Sequence, residues 1–276
     1  MNLFGNCIPY RYNFINATFI YQPMGLFAKL KNGGESMRLQ LVFNREEGEN
    51  SLTISLDYRN SIISVIKYLL DGSWIGQRYS KEHPGYPPYA CALTFGKILS
   101  FQRETRTMTV RLPIMLTIST GDFQIFTALC NGAIGQQNSL SFRGVPLYGI
   151  HILNERPIHS EQVCFSTVSH MLLPTPAGYI GSNQAAPLEE AINYHMFKRV
   201  TFYRELWNIR IPDLSPISVL DASDLNKGVS LHYGGYLTTL RGHLVLKGSP
   251  ESLKLLYDFG IGSKCGQGYG LMKVVD

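Results

Sequence analysis

The chain has 276 residues, of which 16% are charged and 45% hydrophobic, a composition that excludes wholesale disorder. It is long enough to bury a core without covalent staples, as one large or two small domains. The formal charge of +5 permits a polyanionic partner without demanding one.

No run approaches the ~20 uninterrupted apolar residues of a membrane span. The stretch Ser61–Leu70 is broken by Lys67, and the first residues lack the charged front and apolar centre of a signal peptide. Cys7, Cys91, Cys130, Cys164 and Cys265 are odd in number, widely spread and free of any CxxC pair. That usage argues against a disulfide framework or a zinc site and points to a reducing cytoplasm.

In chain order, residues 1–36 stand outside the pattern that follows, and two readings stay open: an added edge strand, or a segment preceding a second start at Met37. Arg38–Phe43 alternates as a half-buried strand does, and Leu52–Leu56 repeats the pattern after a polar loop. Ile62, Ile63, Ile66, Leu69 and Leu70 then fall on one helical face, with Asp57 or Asn60 as a cap and Asp71-Gly72-Ser73 as the stop. Tyr89–Phe95 and Thr107–Thr117 read as strands. Gly121-Asp122 opens a helix carrying Phe123, Phe126 and Cys130, and Pro146–Leu153 completes the unit.

A second unit restarts near Cys164–Pro174. Its first helix covers Leu188–Arg199, and a hairpin of Gly235–Thr239 with Arg241–Lys247 follows. The last helix starts at Ser249-Pro250 and stops at Gly260, and Val274 sits in a closing strand. Each half has the strand-helix-strand-strand-helix-strand order of the ferredoxin-like fold. The expected class is therefore α+β: two tandem ferredoxin-like domains with antiparallel sheets, at residues 37–156 and 157–276, behind the extension 1–36.

The segment Gly260-Ile261-Gly262-Ser263-Lys264-Cys265-Gly266-Gln267-Gly268-Tyr269-Gly270 holds five glycines in eleven residues. Such density demands left-handed turns or close backbone approach, and exposed amides there would form an anion-binding nest around Lys264. A tight connection without a ligand is the competing reading. A dinucleotide fingerprint fails on context, because this segment follows a helix and precedes a strand. A Walker A loop fails because no Gly-Lys-Ser/Thr occurs. The tail Gly268–Val274 partly echoes the strand of RNA-recognition motifs on which an aromatic ring stacks a base.

The spacing Gly-hydrophobic-Gly, five residues, Gly-hydrophobic-Gly resembles the C-terminal signature of the CRISPR-associated endoribonucleases that cut precursor guide RNA, the Cas-six family of the RAMP superfamily. The preceding Leu240–Gly248 strand and Phe165–Ser169 fall in the order seen in that family, although His170 stands where the family usually has proline. The resemblance implies a protein that binds CRISPR repeat RNA, as precursor crRNA or within an effector complex, and that uses no cofactor or metal. It also implies cleavage by attack of a 2′-hydroxyl on the adjacent phosphate, which needs a base, an acid and a cation.

By resemblance, His83 in the loop after the first helix is the catalytic histidine, Tyr68 matches a catalytic tyrosine, and Lys81 is a substitute for a lysine the family places later. Each has a plainer reading: a loop histidine in solvent, a core-edge tyrosine, an exposed cation. The expected RNA contacts are Arg78, Arg241, Lys247, Gly260, Gly262, Lys264, Gly266, Gly268, Tyr269 and Gly270. Arg78–Arg111 carries an excess of four positive charges that would track phosphates. The remaining histidines show no paired spacing and read as structural. Two rivals stay open: a non-catalytic RNA-binding RAMP subunit, and a ferredoxin-like enzyme acting on a small phosphate ester.

Overall fold

A computed structural model describes residues 37–77 and 86–275. The first half begins with β1 (Met37–Phe43), β2 (Ser51–Ser55) and α1 (Arg59–Leu69). It continues through β3 (Ala90–Gln102), β4 (Thr107–Thr120) and α2 (Phe123–Gly135) to β5 (Ser141–Phe142) and β6 (Val145–Leu153). In the antiparallel sheet β1 lies between β6 and β4, and β3 pairs with the other edge of β4. The order β6-β1-β4-β3 is that of a ferredoxin-like domain, with β2 and β5 as additions.

The second half holds β7 (Gln162–Thr167), the small strands β8 (Pro174–Thr175) and β9 (Gly178–Tyr179), and the long helix α3 (Ala185–Glu205). After these come β10 (Ser218–Asp221), β11 (Asn226–His232), β12 (Gly235–Arg241) and β13 (His243–Lys247). The chain ends in α4 (Pro250–Phe259), a 3-10 turn at Cys265–Gln267 and β14 (Met272–Val275). The sheet order β10-β13-β7-β14 repeats the ferredoxin-like arrangement, and β11–β12 form a separate hairpin inserted into it.

Alternation explains the sheet faces. Leu39, Leu41 and Phe43 of β1 are fully buried and share one apolar core with Ile62, Ile66 and Leu69 of α1 and with Ile125, Phe126 and Leu129 of α2. The same core continues through Phe165, Leu244, Leu246, Leu253 and Leu256 of the second half. Asp122 caps α2 by accepting from the Ile125 amide at 3.0 Å, and Ser249 caps α4 by accepting from the Ser252 amide at 3.2 Å. Gly260 then leaves α4 at φ 83°. Among the described residues no helix is long and apolar enough to cross a membrane.

Two local expectations are corrected. β12 does not pair with β13; it pairs with β11, and β13 slots between β10 and β7. A lone Gly242 joins the two strands, and a hairpin needs at least about two loop residues, so the chain changes sheets there. Neither Asp57 nor Asn60 caps α1: Tyr58 occupies the cap position without a side-chain bond. The Asp57 carboxylate is used elsewhere, as shown below.

Candidate functional site

The glycine-rich turn is built into the protein interior. Gly260, Gly262, Gly266, Gly268, Tyr269 and Gly270 are buried, and within the turn only Ser263, Lys264 and Gln267 are partly exposed. The expected open nest of amides is corrected accordingly. The N–H groups of Ile261, Ser263 and Gly270 donate to the carbonyls of Gly270, Leu172 and His170, each at 2.8 Å. Glycine is required sterically: Gly262 and Gly270 have φ of 87° and 68°, and a β-carbon would meet the Leu172 and Ile261 carbonyl oxygens.

The filler of this turn is Arg199, 1% exposed, from the middle of α3. Its guanidinium donates to the Gly260 carbonyl, to the Gly262 carbonyl at 2.7 Å and to Cys265 Sγ at 3.2 Å. A buried cation without these acceptors would be expensive, so the carbonyl fork and the arginine stabilise one another. His195 and Tyr203, four residues to either side, share the buried helical face. Tyr86 donates its hydroxyl to His195 Nδ1 at 2.7 Å, His195 Nε2 donates to the Pro174 carbonyl at 2.8 Å, and Tyr203 donates to the Pro87 carbonyl at 3.1 Å. One face of α3 thus seats both the turn and the segment Tyr86–Tyr89.

The partly exposed rim of the turn meets two other elements. Gln267 Oε1 accepts from His232 Nε2 at 2.9 Å, which leaves His232 Nδ1 as an acceptor that is buried and without a partner. Burial, with help from Lys264, holds this imidazole below the usual histidine range, so it is neutral at pH 7. Asp57, just before α1, accepts from the Gly234 amide at 3.1 Å and ties the hairpin tip to the helix start. Arg59 donates to the Gly268 carbonyl at 3.4 Å, with its guanidinium carbon 4.2 Å from the Tyr269 ring centroid and 4.8 Å from that of Tyr58. Tyr269 is fully buried and donates to Ser230 Oγ at 3.2 Å, so it is not a ring offered to a base.

The other expected site residues divide. Arg78, Lys81 and His83 lie outside the described residues. Tyr68, near the end of α1, is exposed; its hydroxyl donates to Gln136 Oε1 at 3.0 Å and meets Ser139 Oγ at 3.0 Å. It lines a cleft of about 650 Å³ in which Asn60, Ser61, Ser64 and Arg143 stand beside the apolar Val65, Leu140 and Phe142. Arg241, at the end of β12, lies close enough to His170 to act on it: burial first, then Arg59 and Arg241, push that histidine down to about 4. Lys247 sits at the far end of β13 from His243, about 13 Å of strand away, and is not part of the cluster.

Sequence reasoning missed His232, Gln267, Asp57, Arg59, Arg199 and the exposed Tyr233 and Tyr236. The run His232-Tyr233-Gly234-Gly235-Tyr236 held the available signal, a two-residue turn between alternating strands.

Residues 153–274 match the family described as CRISPR associated protein Cas6, C-terminal. The match takes in the second half of the chain, including the glycine-rich turn. Solved structures extend the likeness to the whole fold. A Cas6-related protein from Pyrococcus furiosus aligns at TM-score 0.68 and 18% identity, covering 87% of this chain and 99% of that one. A RAMP protein that binds different RNA substrates aligns at 0.65 and 16%, covering 87% and 100%. A Cas6 product complex aligns at 0.56 and 14%, covering 87% and 99%. No curated protein sequence matches the chain. The Cas6 structures have the tandem ferredoxin-like architecture found here, which bears out the α+β expectation.

Proposed function

We propose that the protein binds CRISPR repeat RNA and cuts it without a metal, with residues 37–156 and 157–276 as its two domains. The 2′-oxygen forms a bond to the adjacent phosphorus while the bond to the 5′-oxygen breaks, giving a 2′,3′-cyclic phosphate and a 5′-hydroxyl. A base takes the 2′-hydroxyl proton and an acid returns one to the leaving oxygen. His83 is the proposed proton-transfer group, with Tyr68, Lys81 and Arg78 as helpers that position or neutralise the phosphate. The proposed RNA contacts retained from the turn are its rim, Lys264 and Gln267, together with Arg241.

The match of residues 153–274 to the Cas6 C-terminal family carries this reading. Similar folds that bind RNA substrates or product support it. The test is incubation with the repeat RNA of the protein's own genomic neighbourhood in EDTA, followed by mapping of the ends. A cyclic phosphate is expected, with loss of cutting when the nucleotide before the cut is 2′-deoxy and a fall of at least about 100-fold in His83→Ala. Binding without any cut would assign the non-catalytic role of an RNA-holding subunit. Cutting that persists in His83→Ala would remove that residue from the mechanism.

A further inference from the structure

The hairpin β11–β12 reverses through Tyr233-Gly234, with His232 paired to Gly235. Both turn residues have positive φ, 49° and 78°. That left-handed pair suits the twist of a two-residue hairpin, and its first position ordinarily falls to Asn, Asp or Gly. A tyrosine there crowds its own backbone, so the sequence accepts strain to place this side chain.

The fold recovers little from the ring. Tyr233 is 65% exposed and touches His232 edge-on, with centroids 4.7 Å apart. Tyr236, three residues on, is 66% exposed, with the Arg106 guanidinium 6.0 Å from its ring centroid. Beneath the tip lies His232, 6% exposed, with its unpaired Nδ1. Asp57 fixes the tip by its bond to the Gly234 amide. A strained residue with its ring toward solvent, near a second exposed ring and a cation, is an arrangement suited to a flat, anionic ligand.

Resting on the RNA-binding reading above, we propose that Tyr233 and Tyr236 are a stacking platform for bases of single-stranded repeat RNA. Every base has a π-face, and Arg106 beside Tyr236, with Lys264 acting on the neighbouring His232, supplies positive charge for the phosphates.

The test uses the full chain and two substitutions. Tyr233→Asn puts a residue suited to the turn in place of the strained one, so its thermal unfolding midpoint rises. Its affinity for fluorescently labelled single-stranded repeat RNA, read by anisotropy at fixed salt, falls about tenfold. Tyr233→Phe keeps the ring and binds within about twofold of the unaltered protein. Replacing one nucleotide at a time by an abasic one costs affinity at a particular position in the unaltered protein and costs nothing there in Tyr233→Asn. Unchanged RNA affinity in Tyr233→Asn overturns the platform and leaves the RNA-binding reading standing. A lowered midpoint in that variant overturns the platform as well, because the ring is then a structural element. An unaltered protein that binds no repeat RNA overturns both readings together.

Discussion

Arg199→Met tests whether the glycine-rich turn is held from inside. Methionine keeps most of the unbranched apolar stem and removes the charge and every donor. The Gly260 carbonyl loses its guanidinium partner, and the Gly262 carbonyl keeps only a weak thiol contact from Cys265 at 3.6 Å. Leaving a buried carbonyl unsatisfied costs about 1–3 kcal/mol, so two of them cost about 2–6 kcal/mol. Against that, the variant no longer desolvates a cation, which returns part of the loss. A net destabilisation of about 2–3 kcal/mol is expected, read as a midpoint about 5–10 °C lower in a thermal melt. Arg199→Lys should fall between, since one ammonium cannot reproduce the two-pronged contact. A melt for Arg199→Met that coincides with or exceeds the unaltered protein would refute the argument, because it would mean the turn holds its shape without the fork.

Gly262→Ala forces a β-carbon against the Leu172 carbonyl at a left-handed φ, and a loss of about 2–4 kcal/mol is expected by chemical denaturation. A variant as stable as its parent would show that the turn has room to relax. Stability should also fall on mild acidification, because His170, His195 and His232 all titrate below the usual histidine value of 6.5. The unfolded chain binds protons first, so stability is full above pH 6.5 and is lost as pH drops towards the folded values. For His170, held at about 4, the full effect is about 3 kcal/mol. Solvent screening at a half-buried ring reduces it to about 1–2 kcal/mol. Urea midpoints measured from pH 7.5 to 5 check this, and a flat profile would count against the buried, neutral state of these rings.

The fold was legible where periodicity and punctuation agree. The buried faces of α1 and α2, the Ser249-Pro250 start and the Gly260 stop all follow from local chemistry visible in the chain. The partner of β12 was not, since Gly235–Thr239 and Arg241–Lys247 are adjacent strand-like runs and only tertiary structure shows that the glycine between them redirects the chain. The glycine spacing was legible as a constraint on the backbone, but not which constraint. An amide nest and a buried connection use the same residues at the same spacing, and burial alone separates them. Arg199 could not be found from the sequence at all. It lies over sixty residues from the carbonyls it binds, on a helix whose other buried positions are mostly apolar.

These contacts change what the family's glycine spacing says about RNA. The turn lies where elements from both halves converge: a β-carbon on Gly266 would meet Pro87 and Tyr89, Arg59 of α1 bonds Gly268, and Arg199 of α3 bonds Gly260 and Gly262. A segment so enclosed is poorly placed to wrap a phosphate backbone, but well placed to fix what projects from it. Lys264, in a left-handed conformation at φ 56°, and Gln267, bonded to His232, are the groups it presents. On the proposed RNA-binding reading, the glycines act through the rim they hold and the hairpin that rim supports. It follows that substituting a buried glycine should disturb folding and RNA binding together, whereas Lys264→Ala should weaken binding and its salt dependence while the melt stays within about 1 kcal/mol of the parent.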